Sequence, residues 1–216
     1  MPQDFEPRDR LNQLLIEAGS APLDENASGQ LNAYLTVLQK WNARTNLTAI
    51  RDEETILRRH FMESILCARA LPAAIATLLD FGSGAGFPGL PIAILRPEIT
   101  VTLAESQNKK AAFLREAIRT LGIAVKVHAA RAETLQSKFD CITLRAVDNM
   151  AAAIPAAITL LAPQGWLAIL TTTTDAEKLK ALSDQKNDFN WRQPHSITTS
   201  SYGILLLGQA IPHSTL

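Results

Sequence analysis

Asp80-Phe81-Gly82-Ser83-Gly84-Ala85-Gly86-Phe87-Pro88-Gly89 is the stretch on which the fold turns. Four glycines fall within eight positions, directly after an apolar run, Thr77 to Phe81, that reads as a strand. A helix follows, with Pro91 in its first turn, where a missing N–H is harmless. Strand, glycine loop and helix in that order let a ligand approach backbone N–H groups.

Working outward, the chain after Pro72 alternates short apolar runs with helical stretches, the pattern of parallel β/α units. Strands are predicted at Thr77–Phe81, Thr100–Ala104, Ala124–His128, Cys141–Leu144, Gly165–Leu170, Trp191–Ser196 and Gly203–Gly208. Ala111, Leu114, Ile118 and Leu121 form an apolar helical stripe ended by Gly122. The last strands lie close together, which predicts an antiparallel finish to a mostly parallel sheet. Upstream, Arg8 to about Ala70 reads as helical, with Leu11, Leu14, Leu15 and Ala18 on one face and Leu31, Tyr34, Leu35 and Leu38 on another. Asp24 or Ser28 caps the second helix, and Asp52 starts a third. The expected organisation is a helical cap over residues 1–71 and an α/β domain over 72–216, packed as one unit.

The 216 residues are 47% hydrophobic and 19% charged, enough to bury a sizeable core. With 21 basic and 21 acidic residues the net charge is zero, so the total demands no nucleic-acid partner and local clusters must carry that argument. No apolar run approaches the roughly 20 residues of a membrane span, and Met1 to Arg10 carries charges of both signs, so a cytoplasmic protein is expected. Cys67 and Cys141 are the only cysteines, read as buried, reduced thiols. His195 and His213 have no ligand-like neighbours, and no metal site is expected.

The loop alone leaves the ligand open. Gly84, Gly86 and Gly89 satisfy the dinucleotide pattern G-x-G-x-x-G, and Glu105 lies about 20 residues on, where a ribose-binding acid belongs. Two details favour S-adenosylmethionine: Asp80 would repel phosphate and attract an ammonium group, and Pro88 removes a donor where a pyrophosphate needs one. Free amides around Gly82 and Gly84 would face the methionine carboxylate, and Glu105 would accept from both ribose hydroxyls. The competing reading of Glu105 is an acid that favours the dipole of the following helix. Ala132 and Glu133, beyond the third strand, would border the adenine. Arg145 emerges at the carboxyl end of the fourth strand, at the centre of the ligand-binding edge. Its alternative is an ion pair with Asp140 or Asp148.

Trp41-Asn42, Asn46-Leu47-Thr48, Arg59-His60, Glu63-Ser64, the glycine loop, Arg96-Pro97-Glu98 and Arg145-Ala146 together resemble the glucose-inhibited division protein B family. These are bacterial 16S ribosomal RNA guanine-N7 methyltransferases. The resemblance covers about Leu31 to Val147. It implies a class I methyltransferase fold, Rossmann-like with a seven-stranded sheet and an N-terminal helical cap. It also implies a cofactor site on Gly82, Phe87, Ala132, Glu133 and Arg145. Glu63 stands where the family usually has aspartate. Thr171 to Thr174 replace a usual lysine-glycine pair, which removes a cation from the substrate edge.

Guanine N7 carries an in-plane lone pair and no proton, so attack on a sulfonium methyl needs alignment and exclusion of water rather than a general base. Arg145 would donate to guanine O6 or position the cofactor. N7 is hidden in the deep groove of an A-form helix, so the target belongs to a loop or is unstacked, and Phe87 is a candidate to stack on it. Lys109, Lys110, Arg115, Arg119, Lys126 and Arg131, with Lys40, Arg44, Arg51, Arg58 and Arg59 in the cap, are candidates for phosphate grip. The alternative for both clusters is a solvated helix face. His60 is read as tying the cap to the sheet, and His128 as structural. The expected partner is 16S ribosomal RNA in the small subunit or a precursor, met by a monomer off the membrane. Two rivals stand: an NAD-dependent oxidoreductase using the same loop, and a non-catalytic RNA-binding assembly factor.

Overall fold

The computed structural model describes residues 7–183, 188–197 and 203–211; His213 lies outside them. The apolar runs become β1 (Thr77–Phe81), β2 (Thr100–Ala104), β3 (Lys126–His128), β4 (Phe139–Arg145) and β5 (Leu161–Thr172). These five are parallel, ordered β3-β2-β1-β4-β5. β8 (Gly203–Ala210) then pairs antiparallel with β5 and gives the expected antiparallel finish. The strand expected over Trp191–Ser196 is split into β6 (Phe189–Trp191) and β7 (His195–Ser196), both antiparallel to β8. Pro194 interrupts it, because proline has no N–H to give the ladder. The sheet therefore has eight strands among the described residues where seven were expected.

Both sheet faces are covered, so the central strands are apolar at successive positions. Leu78, Val101, Leu103, Cys141, Ala168, Leu205 and Leu207 point into one core, and Leu79, Phe81, Ile142, Leu144, Leu167, Ile169 and Leu206 into the other. The second core is closed by α7 (Met150–Thr159) and α8 (Ala176–Ser183). The first receives α5 (Gly89–Leu95) and α6 (Asn108–Leu121) together with the N-terminal helices.

Those helices are α1 (Pro7–Glu17), α2 (Glu25–Thr45), α3 (Glu53–Ile56) and α4 (Glu63–Ala70), with a π-helical segment, Leu57–Met62, joining the last two. Of the two possible caps of α2, Asp24 serves: its carboxylate accepts from Ala27 N–H at 2.7 Å, and Ser28 is buried in the first turn. Asp52 caps α3 through Thr55 N–H at 2.8 Å. Gly122 ends α6 at φ +64°, the left-handed region that favours glycine. Leu11, Leu14, Leu15, Leu31, Tyr34, Leu35 and Leu38 are buried as the helical stripe predicts. Cys67 and Cys141 are buried and unpaired, and burial pushes the Cys67 thiol up to about 12.

Tyr34 carries the cap's grip on the glycine loop: its buried hydroxyl donates to the Ala85 carbonyl. Tyr34→Phe leaves that carbonyl without the bond, a cost of about 1–3 kcal/mol. The expected Tm decrease is roughly 2–12 °C for a chain of this size, readable by calorimetry, and an unchanged Tm would show the bond carries no stability.

Candidate functional site

The glycine loop turns sharply because Gly82, Gly84 and Gly86 take φ of +74°, +56° and +90°. A Cβ at Gly86 would also come within 2.6 Å of Leu90 and 2.8 Å of the Tyr34 hydroxyl. Gly82 and Gly84 instead lie at the accessible rim, where the nearest obstacle to a Cβ at Gly82 is Val147 at 3.2 Å. Ser83 holds the turn to the sheet, with its N–H donating to Ala104 O at 3.0 Å and its hydroxyl to Asp80 O at 2.9 Å.

Asp80 is placed differently from the expectation that its carboxylate meets an ammonium group directly. It is 1% exposed, Oδ1 accepts from Thr143 Oγ1 at 2.8 Å, and Oδ2 accepts from Gly89 N–H at 3.2 Å. The loop folds back over the end of β1, so the carboxyl pins the start of α5 from within. Burial pushes it up from 3.8 to about 6, against hydrogen bonds from Thr143, Ser83 and Gly89. The folded chain thus holds this proton more tightly than the unfolded one. The contribution to stability is full below about pH 4 and is lost as pH rises through about 6. Asp80→Asn should therefore gain stability relative to wild type between pH 4 and pH 7. A difference in Tm between the two proteins that does not change with pH would contradict this.

Glu105, at the end of β2, is 6% exposed and reaches across to the loop. Oε2 accepts from Gly84 N–H at 2.9 Å and Oε1 from Gln107 N–H at 2.7 Å. A carboxylate has about four acceptor positions, so both oxygens retain capacity for a further donor. Ala132 and Glu133 sit in a single 3-10 turn after β3, Ala132 buried and Glu133 exposed. His128 is structural: its Nε2 lies 2.8 Å from Thr134 Oγ1 and holds that turn.

Arg145 emerges at the end of β4, yet pairs with neither Asp140 nor Asp148. Asp140 is engaged at the start of β1, by Thr77 N–H at 2.9 Å and Ala76 N–H at 3.1 Å. The guanidinium instead enters the cap, where Nη2 donates to Glu63 Oε2 at 2.9 Å and to the Arg59 carbonyl. Glu63 also takes Arg59 Nε, at 3.2 Å on Oε1. Burial raises the Glu63 carboxyl, and the two arginines oppose that rise. Arg145 Nη1 is buried and has no partner. Sequence reasoning missed Glu63 as a partner of Arg145; its one signal was its place in the Arg59-His60, Glu63-Ser64 motif.

Phe87 is not available to stack on a target base. It is 7% exposed, its ring stacks on Tyr34 and on His60 with centroids 4.9 Å apart in each case, and Phe61 meets its edge at 5.2 Å. The loop turns this side chain into the aromatic pocket under the cap, where burial is favourable. His60 accordingly ties cap to loop. Its Nε2 lies 2.9 Å from Thr48 Oγ1, its Nδ1 is buried without a partner, and burial lowers the ring to about 3, so it is neutral.

Of the cap cations, Arg58 is held by Glu54 at 2.7 Å, and Arg51 donates to Asn42 O at 2.8 Å and to Asn46. Lys40 and Arg44 stay exposed on α2, facing Glu116 of α6. Lys109, Arg115, Arg119, Lys126 and Arg131 are exposed, and Lys110 is half-buried. At the end of β5, Thr172 Oγ1 bonds Thr174 Oγ1 at 2.8 Å and Asp175 at 3.0 Å, so the threonine run closes on itself. Among the described residues no group of three His, Cys, Asp or Glu is arranged to hold a metal, and no helix is long and apolar enough to cross a membrane.

Gly82, Gly84, Glu105 and Arg145 thus share the carboxyl edge of the sheet, with Asp80 beneath and Ala132 and Glu133 at the flank. The model of the family GidB, rRNA small subunit methyltransferase G, matches residues 27–202. The ribosomal RNA small subunit methyltransferase G of Halorhodospira halophila (strain DSM 244 / SL1) is 43% identical over 177 residues, 81% of each chain. The protein of the same name from Roseiflexus sp. (strain RS-1) is 49% identical over 136 residues, 60% of this chain and 58% of the relative's length. In fold, the chain is similar to cofactor-bound Rv0187 from MTB, with a TM-score of 0.67 at 17% identity, over 98% of this chain and 100% of that one. The Rossmann-like architecture, the site at the carboxyl edge and the extended sequence match together make this chain a member of the GidB family, rRNA small subunit methyltransferase G.

Proposed function

We propose that this protein transfers the methyl group of S-adenosylmethionine to N7 of a guanine in 16S ribosomal RNA, in the small subunit or a precursor. The observation that carries the reading is Arg145, whose buried Nη1 has no partner at the carboxyl end of β4, beside the glycine loop. Such a donor fits a carboxylate or carbonyl oxygen, since an unpaired buried donor is costly. The other residues fit the same cofactor. Gly82 and Gly84 leave the rim of the loop open to a ligand's close approach, Glu105, held by the Gly84 amide, keeps acceptor capacity for ribose hydroxyls, and Ala132 and Glu133 border the adenine. Asp80 contributes charge from beneath the loop, which favours a cationic ligand. Phe87 contributes by holding the loop against the cap.

Bound S-adenosylmethionine supplies an electrophilic methyl group. The chain's own work is to orient the reacting pair and exclude water, which supplies much of the acceleration when the nucleophile needs no base. Arg145 positions cofactor against guanine. Residues 1–71 act as a cap and 72–216 as the catalytic domain, in a cytoplasmic monomer. Neither the NAD-dependent oxidoreductase nor the non-catalytic assembly factor finds support among relatives that carry a methyltransferase name.

Purified protein should transfer labelled methyl from S-adenosylmethionine to small subunits or their precursors, with the label mapping to one guanine N7. Micromolar NAD binding without S-adenosylmethionine binding, or RNA binding without transfer, would overturn the proposal.

A further inference from the structure

Away from the glycine loop, α2 and α6 enclose a groove of about 220 Å³ lined by Lys40, Trp41, Arg44, Thr45 and Glu116. The two helices run in opposite directions, because Gln30 Nε2 near the start of α2 bonds Leu121 O at the end of α6, at 3.2 Å. The C-terminal half of α2 therefore lies beside the N-terminal half of α6. That end of α6 begins at Asn108, three residues after Glu105. Glu116 is about 12 Å along the helix from Asn108, at 1.5 Å per residue. The groove thus lies about 12 Å along α6 from the carboxyl edge, on the side where α2 carries Asn42, which bonds Thr48, and Thr48 meets His60 against Phe87 of the glycine loop.

Its chemistry is that of a nucleotide subsite. Trp41 is half-buried, its ring held at an angle of 67° against Phe113 with centroids 5.8 Å apart. A tryptophan fixed in this way is a platform on which any base can stack. Lys40 and Arg44 are exposed and make no ion pair among the described residues, so their charge is available to phosphate. Glu116, the one acid in the lining, can accept from a base's exocyclic amine. On a helix of 3.6 residues per turn Lys109 and Arg119 lie near the same face of α6 as Glu116 and extend the positive track.

We infer that the Lys40–Trp41–Arg44–Glu116 groove binds a single-stranded nucleotide of the RNA substrate that flanks the methylated guanine. The inference rests on the RNA-methylation reading above. It adds a second point of grip, which fixes the RNA in register without touching the reacting atoms.

The test uses the full chain with isolated small subunits and radiolabelled S-adenosylmethionine. Lys40→Ala with Arg44→Ala should raise KM for the subunit about tenfold with S-adenosylmethionine affinity by calorimetry retained. The slope of log K against log salt for RNA binding should also shrink by about 1.4–1.8, two phosphate contacts at 0.7–0.9 each. Trp41→Phe, which keeps an aromatic ring against Phe113, should weaken RNA binding less than Trp41→Ala. Circular dichroism of both Trp41 variants separates lost stacking from lost fold. An unchanged KM and salt slope in the Lys40, Arg44 double variant, with the wild type active, overturns the groove proposal alone. No transfer by the wild type overturns the underlying reading, and the groove proposal with it.

Discussion

Arg145→Ala is expected to lower methyl transfer at least about 100-fold, the loss typical of removing one fixed donor from a reacting centre. It should also destabilise the fold. Arg145 and Glu63 are both largely buried, with side chains 12% and 6% exposed, and truncating the arginine leaves the Glu63 carboxyl with Arg59 alone. Breaking a buried pair from one side costs about 3–5 kcal/mol, and the remaining Arg59 contact sets the lower end as the expectation. The two effects separate in the double variant Arg145→Ala, Glu63→Gln, which removes the stranded charge. Its Tm should recover most of the loss, while transfer stays at the level of the single variant. Arg145→Lys tests the fork geometry: a point-like ammonium lacks the second nitrogen that lets the guanidinium hold Glu63 and the Arg59 carbonyl with Nη2 and present Nη1 to a ligand, so transfer should remain low. Wild-type transfer in Arg145→Ala, measured with labelled cofactor, would show that the guanidinium only braces the cap.

The next largest effect is expected from Gly89→Ala. Backbone torsion is not the obstacle; space is. An added Cβ would lie 2.3 Å from Leu103 Cδ2, 2.7 Å from Asp80 Oδ2 and 2.9 Å from Asp80 Cβ. Leu103 can rotate away at some cost, but Asp80 is fixed by Thr143 and by Gly89 itself. Overpacking of this kind costs about 1–3 kcal/mol. The displaced carboxyl also loosens the loop, so S-adenosylmethionine affinity should fall more than tenfold while the sheet remains folded. Calorimetric binding equal to wild type would mean the loop absorbs the methyl group without moving.

Much of this was legible in the sequence because it is local. A glycine loop between an apolar run and a helix, a helical stripe ended by Gly122, and an arginine directly after a strand are patterns of adjacent residues. The parts that were hidden depend on distant pairings. Glu63 meets Arg145 across 82 positions, and only its place in the Arg59-His60, Glu63-Ser64 motif marked it. Phe87 looked like an exposed loop aromatic, yet Tyr34 and Phe61 from the cap enclose it. Asp80 looked ligand-facing because it ends a strand; its burial follows from Gly89 returning over it, which requires knowing the path of the loop. The break at Pro194 was visible as a residue, but its effect on one strand of an antiparallel finish was not drawn.

The π-helical segment Leu57–Met62 has a consequence for evolution and for engineering. Here Glu63 N–H reaches back five residues to Arg58 O, so the coil is locally wider than an α-helix and carries one extra residue. The Arg59 carbonyl is met by Arg145, and the His60 carbonyl by the Ser64 hydroxyl at 2.6 Å. Deleting one residue in this stretch would let an ordinary helix form, with every backbone group paired and better local geometry. It would leave everything beyond it on nearly the same face, whereas winding the same residues as an ordinary helix with none deleted would turn that part by about 100°, carrying Glu63 off the axis of Arg145. The cap thus keeps an irregular winding that a regular helix of the same length could not replace, so residue number and winding in this segment can change only together.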